Sequence, residues 1–102
     1  MIHVVATLTV AEGKRSEFVK LFKALVPSVH AEAGCIEYGP TLDVDSGIDR
    51  QVPLRSDVVT VVEKWSDLNA LKAHLAAPHM LAFRDKAKGL LVKAELQILQ
   101  PA

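Results

Sequence analysis

The segment Glu63–Phe83, EKWSDLNALKAHLAAPHMLAF, constrains the fold of this chain more than any other. It opens on the end of an apolar strand, Val58–Trp65, in which Val59, Val61, Glu63 and Trp65 share one face by the two-residue period. Ser66 or Asp67 then supplies a helix cap. Leu68, Leu71 and Leu75 recur at helical spacing, with His74 on the edge of their stripe. Pro78 suits a helix's first turn, so a second helical segment starts there, carries Met80, Phe83 and Ala87 on its apolar face, and ends at Gly89. A strand followed at once by helices that must fold back onto it leaves few architectures.

The remaining segments narrow the choice. Ile2–Val10 is rich in β-branched residues and reads as a buried strand. After Glu12–Gly13, a helical pattern begins at Lys14, with Phe18, Leu21, Phe22, Leu25, Val26 and Val29 on one side. Pro27 lies inside it and is expected to kink or restart the helix; Gly34 suits a left-handed terminator. Cys35–Leu42 reads as a strand with Ile36 and Tyr38 on one face, Cys35 and Glu37 on the other. Asp43–Pro53 is a long loop; its DxDxG fragment lacks the later glutamate of a calcium loop. Leu90–Leu99 is the last strand. The order β-α-β-β-α-β is the ferredoxin-like pattern: an α+β class, one domain over residues 1–102, with an antiparallel sheet and helices on one face. Both phases of Ile2–Val10 and Val58–Val62 are largely apolar, so a second subunit is expected to cover the open face, giving a homodimer.

Composition bounds the partners. Half of the 102 residues are hydrophobic, enough for a core without staples. Twelve basic and twelve acidic residues leave no electrostatic signature of nucleic-acid or anionic-membrane binding. Cys35 is the only cysteine, so no intrachain disulfide forms, which suits a reducing cytoplasm. No run has the length of a membrane span, and MIHVVATLTV has neither the basic region nor the cleavage site of a signal peptide. GxGxxG and GxxxxGK[ST] are absent, so flavin, nicotinamide or nucleotide cofactors are not expected.

Two histidines carry the candidate chemistry. His74 and His79 are either half-buried structural residues or a general base, a role suited to a side chain that titrates near neutrality. Their spacing lacks the glutamate and geometry of a zinc motif, and no metal is expected. Glu63, on the strand face that meets the helices, needs a partner, and a histidine would make an orienting pair. Trp65 and Tyr38 are core residues or flat walls for an aromatic ligand. Arg84 is a solvated helix charge or a group at a pocket mouth. Cys35, His3 and His30 have no companions that suggest chemistry.

Gly34-Cys35-x-x-Tyr38, Glu63-x-Trp65, Ala70-Leu71-x-x-His74-Leu75, Pro78-His79-Met80 with Phe83, and the closing Ile98–Pro101 together make the chain similar to the antibiotic biosynthesis monooxygenase family, nearest its small bacterial quinol monooxygenases. The resemblance implies a ferredoxin-like subunit of the dimeric α/β barrel kind. It also implies oxygenation of an electron-rich aromatic by dioxygen without metal or flavin. Haem-degrading relatives place an asparagine on the first strand and a histidine nineteen residues after the tryptophan; this chain has no such asparagine, and Arg84 stands at the second position. For a quinol substrate, Trp65, Tyr38, Phe22 and Phe83 would wall the ring, Arg84 would sit at the mouth, and His74 or His79 would be the base with Glu63 as its orienter. The alternatives are an isomerase of a small phosphorylated carbonyl compound and a non-catalytic dimeric ligand-binding module.

Overall fold

The computed structural model describes residues 1–102. Four strands and three helices follow in the order β1 (Ile2–Val10), α1 (Arg15–His30), β2 (Cys35–Thr41), β3 (Val58–Trp65), α2 (Leu68–Leu75), α3 (Pro78–Lys86) and β4 (Leu91–Leu99). The sheet order is β2-β3-β1-β4, antiparallel throughout, with the helices on one face: the ferredoxin-like topology expected from the pattern. No helix is long and apolar enough to cross a membrane.

Registration places the core. Val4 lies opposite Glu63, Ala6 opposite Val61 and Leu8 opposite Val59, so one phase of β1 and β3 meets the helices. Phe18, Val29, Val59 and Trp65 are fully buried there. Phe22 stacks on Tyr38 at 5.5 Å and meets the ring of Phe83 edge-on at 5.5 Å.

The opposite face is more mixed than the strand sequences suggest. Val5, Val62 and Leu99 share it with threonines and with the ion pairs Lys64–Glu37 and Lys93–Glu95. The apolar residues left uncovered instead include Leu96 and Ile98 of β4, on the helix side, where no helix reaches.

Two local features depart from the sequence reading, and a third settles a choice it left open. α1 runs through Pro27 without restarting, and the Ala31 N–H closes its last turn on the Pro27 carbonyl. One lost backbone donor near a helix end is tolerated when the flanking turn packs Leu25 and Val29 into the core. In β2, a bulge between Cys35 and Glu37 inserts Ile36, so Cys35 and Tyr38 both face the helix side while Ile36 is exposed. The cap of α2 is Asp67, whose carboxylate accepts from the Ala70 N–H at 2.8 Å. In the long loop, Arg55 binds Asp43 through two hydrogen bonds of 2.9 Å and holds its carboxyl down to about 2.

Gly34 ties the start of β2 to the start of α2. Its φ is +82°, its carbonyl accepts from the Ser66 N–H at 2.8 Å, and a Cβ there would come within 2.6 Å of both Ala70 Cβ and Ser66 Oγ. The serine can rotate; the alanine methyl cannot. Gly34→Ala is therefore expected to cost about 2–4 kcal/mol from left-handed strain and overpacking. Thermal melting checks this, and an unchanged midpoint would refute it.

Candidate active site

The site is built from three elements that meet where Glu32 leaves α1. Glu32 sits in a fixed turn: its N–H bonds to the Val29 carbonyl and its own carbonyl accepts from the Cys35 N–H. Its carboxylate thereby points at the junction of α2 and α3. There Oε2 accepts from His74 Nδ1 at 2.8 Å and from His79 Nε2 at 2.7 Å. The shared acceptor sets the tautomers: His74 carries its proton on Nδ1 and His79 on Nε2. His74 Nε2 has no hydrogen bond to the protein and is left as an acceptor.

His74 is 1% exposed and its ring lies 4.6 Å from that of Trp65 and 5.3 Å from that of Tyr38. It lines a cavity of about 240 Å³ between the sheet and the helices. Phe22, Phe83, Met80 and Leu96 give the cavity a mostly apolar lining, and Tyr38, Glu63 and Arg84 are its polar members beside His74. Its β4 wall includes Leu96, a residue no helix covers. Larger hollows of about 420 and 580 Å³ lie around Met1 and Pro101 and around Ile36 and Thr41, and neither holds a buried carboxylate–imidazole pair.

Trp65 is fully buried and does not form a wall; it backs His74 and donates its indole N–H to Glu63 Oε1 at 2.9 Å. This corrects the expected pairing of Glu63 with a histidine. The histidines take Glu32, a residue the sequence reading passed over. A signal was present: an acid just beyond a helix C-terminus opposes the macrodipole and asks for a compensating partner. His79 is placed apart from the cavity, in a crevice between α1 and α3 beside Leu21, Leu25 and Phe83. Arg84 lies at the mouth and donates to the Leu75 carbonyl at 2.9 Å.

Electrostatics follow burial. Desolvation raises the Glu63 carboxyl above its ordinary value; the Trp65 hydrogen bond and His74 oppose this, and Glu32 adds to it. Burial, Glu63 and Glu32 raise the Tyr38 hydroxyl, keeping it neutral. Burial and the same two carboxylates raise the Cys35 thiol, which disfavours a nucleophilic thiolate.

Because the folded-state pKa of Glu63 exceeds the unfolded one, the native chain binds the proton more tightly. Stability from this group is present in acid and is lost as pH rises through the folded value. Glu63→Gln keeps an acceptor for the indole and removes the buried charge. It is expected to raise the melting temperature by several degrees near pH 8, with the two curves converging near the ordinary glutamate value. Parallel curves across that range would refute this.

Comparison with known proteins gives the following. The family model described as antibiotic biosynthesis monooxygenase matches residues 1–86. The probable quinol monooxygenase YgiN of Escherichia coli K12 is 33% identical over 99% of this chain and 98% of its own. The crystal structure of PA3566 from Pseudomonas aeruginosa superposes with a TM-score of 0.80 at 29% identity, covering 99% of this chain and 93% of that one. A conserved protein from Methanosarcina mazei Go1 gives 0.82 at 26% identity, covering 99% and 92%.

Proposed function

The chain belongs to the antibiotic biosynthesis monooxygenase family, and from that premise we propose that it oxygenates a quinol or similar electron-rich phenol with dioxygen, using His74 as the base. The observation that carries this reading is the His74 imidazole, held through Nδ1 by Glu32, without a protein partner on Nε2, in a residue that lines a mostly apolar cavity. A positioned imidazole whose second nitrogen is fixed by a carboxylate is the arrangement that proton abstraction needs.

In this mechanism the ring of the substrate lies among Phe22, Phe83 and Tyr38. Its phenolic proton passes to His74 Nε2, and Glu32 stabilises the imidazolium that forms. The resulting phenolate is electron-rich and reduces dioxygen directly. One oxygen atom enters the ring as a hydroxyl, the other leaves as water, and the substrate supplies all the electrons, so no redox cofactor enters the balance. His79, about a third exposed on the same Glu32 oxygen, offers the proton a route to solvent. The neutral Tyr38 hydroxyl can hold the substrate's second oxygen. The mostly apolar lining disfavours water beside the intermediate.

The decisive experiment is oxygen uptake with a panel of reduced naphthoquinones and benzoquinones. Turnover with at least one of them, with hydroxylated quinone as product, supports the reading; none with any member overturns it. The phosphorylated-carbonyl isomerase is less well supported. Arg84 is the cavity's one cation, it already donates to Leu75, and it shares the cavity with Glu63.

The proposal includes a homodimer and a cytoplasmic setting. The uncovered Leu96 and Ile98 support the dimer, as does the reach of the cavity to the edge strand. Light scattering is expected to give twice the chain mass, and a monomer at all concentrations would exclude it.

A further inference from the structure

Glu32 Oε2, His74 Nδ1 and His79 Nε2 lie within 4.8 Å of one another. We propose that these three atoms bind one divalent transition-metal ion of the zinc class, and that the ion opposes the oxygenase chemistry instead of serving it. The ion-blocking half of this rests on the reading of His74 as base; the binding half does not.

The donor set comes first. Two imidazole nitrogens and one carboxylate oxygen favour zinc and its neighbours over calcium or magnesium, which take oxygen ligands. The carboxylate is available: Glu32 has no lysine or arginine partner, only the two imidazoles. A cation between the three would neutralise a largely buried charge that now rests on hydrogen bonds alone.

The geometry needs adjustment on two sides: the oxygen is too close to the nitrogens, and the three atoms are spread over as much as 4.8 Å, so the two nitrogens must also close toward each other. Zinc–ligand bonds of about 2.0–2.2 Å at tetrahedral angles separate ligand atoms by about 3.3 Å. The oxygen lies 2.8 and 2.7 Å from the two nitrogens, so it must retreat by roughly half an ångström. Two of the three ligands can move. The Glu32 side chain can rotate on its held backbone, and His79 is partly exposed in the first turn of α3. His74 is the fixed member, held against Trp65. The exposed side of His79 leaves the fourth position open to water, as in a site that is not closed by protein alone.

Binding also changes which nitrogen carries each proton. His74 Nδ1 and His79 Nε2 must present lone pairs to the ion, so the remaining protons move to His74 Nε2 and His79 Nδ1. His74 Nε2 then faces the cavity as a donor and can no longer accept a proton. Ion binding and base catalysis therefore exclude each other.

Calorimetric titration of zinc chloride into substrate-free protein tests the site. One zinc per chain is expected, and cobalt in its place should give the visible bands of a tetrahedral ion. His79→Ala, at a partly exposed position, and Glu32→Gln should each weaken binding by about 100-fold or more, at or beyond the loss seen for outer-shell changes. Cys35→Ala and His3→Ala should bind as the parent does. Zinc should raise the melting temperature of the parent and leave that of His79→Ala unmoved, since a ligand stabilises only the state that binds it. Absence of binding, binding that survives both ligand substitutions, or loss in Cys35→Ala or His3→Ala overturns the proposal. The titration uses no quinol, so a failed oxygen-uptake assay leaves it standing, and a blank titration leaves the oxygenase reading standing.

Discussion

His74→Asn should lower quinol-dependent oxygen consumption by about 10²–10⁴-fold, the usual loss when a positioned general base is removed. Asparagine suits the test because its amide lies at the position of Nδ1 and can still donate to Glu32, so the turn after α1 keeps its partner. Nε2 of the imidazole, the acceptor at the cavity, is what disappears. The loss should fall on turnover more than on apparent substrate affinity, since Phe22, Phe83 and Tyr38 still wall the ring. Thermal melting separates this from unfolding, because His74 is buried against Trp65 and Tyr38. A folded variant with parental turnover would mean that His74 is structural.

Glu32→Gln carries the second large effect. The carboxylate fixes the tautomer of His74 and faces the positive charge that appears on the ring when it takes a proton. A neutral amide can still accept one hydrogen bond but cannot stabilise an imidazolium. A fall of about 10–10³-fold is expected, bracketed by the cost of losing an orienting partner and of losing the base itself. Glu63→Gln should leave turnover within a few-fold of the parent, because Glu63 holds the indole of Trp65. That contrast distinguishes the two carboxylates by oxygen uptake alone. Equal losses in both variants, or a larger loss in Glu63→Gln, would reverse the assignment.

Which parts of this were readable from the residues follows from the range of the interactions. Strands and helices were readable because Val59, Val61 and Trp65 repeat with period two and Phe18, Phe22, Leu25 and Val29 with period near 3.6. The convergence of Tyr38, Glu63 and His74 on one cavity follows from those periods and the ferredoxin-like order. The position of Glu32 does not: its partners lie 42 and 47 residues away, and no local pattern encodes that distance. The bulge at Ile36 was hidden for a related reason. A strict alternation puts Cys35 and Tyr38 on opposite faces, and only pairing with Trp65 and Glu63 on β3 shows the extra residue. Pro27 misled in the other direction, since a local penalty yielded to the packing of the turns around it.

The edge strand β4 closes the cavity with Leu96 while remaining largely open to its surroundings. A recess walled on one side by an uncovered strand has no shape of its own along that side. Its breadth is completed by whatever lies against β4. Selectivity among substrates of different ring size can therefore drift through substitutions on the outer surface of β4, with every residue around His74 unchanged.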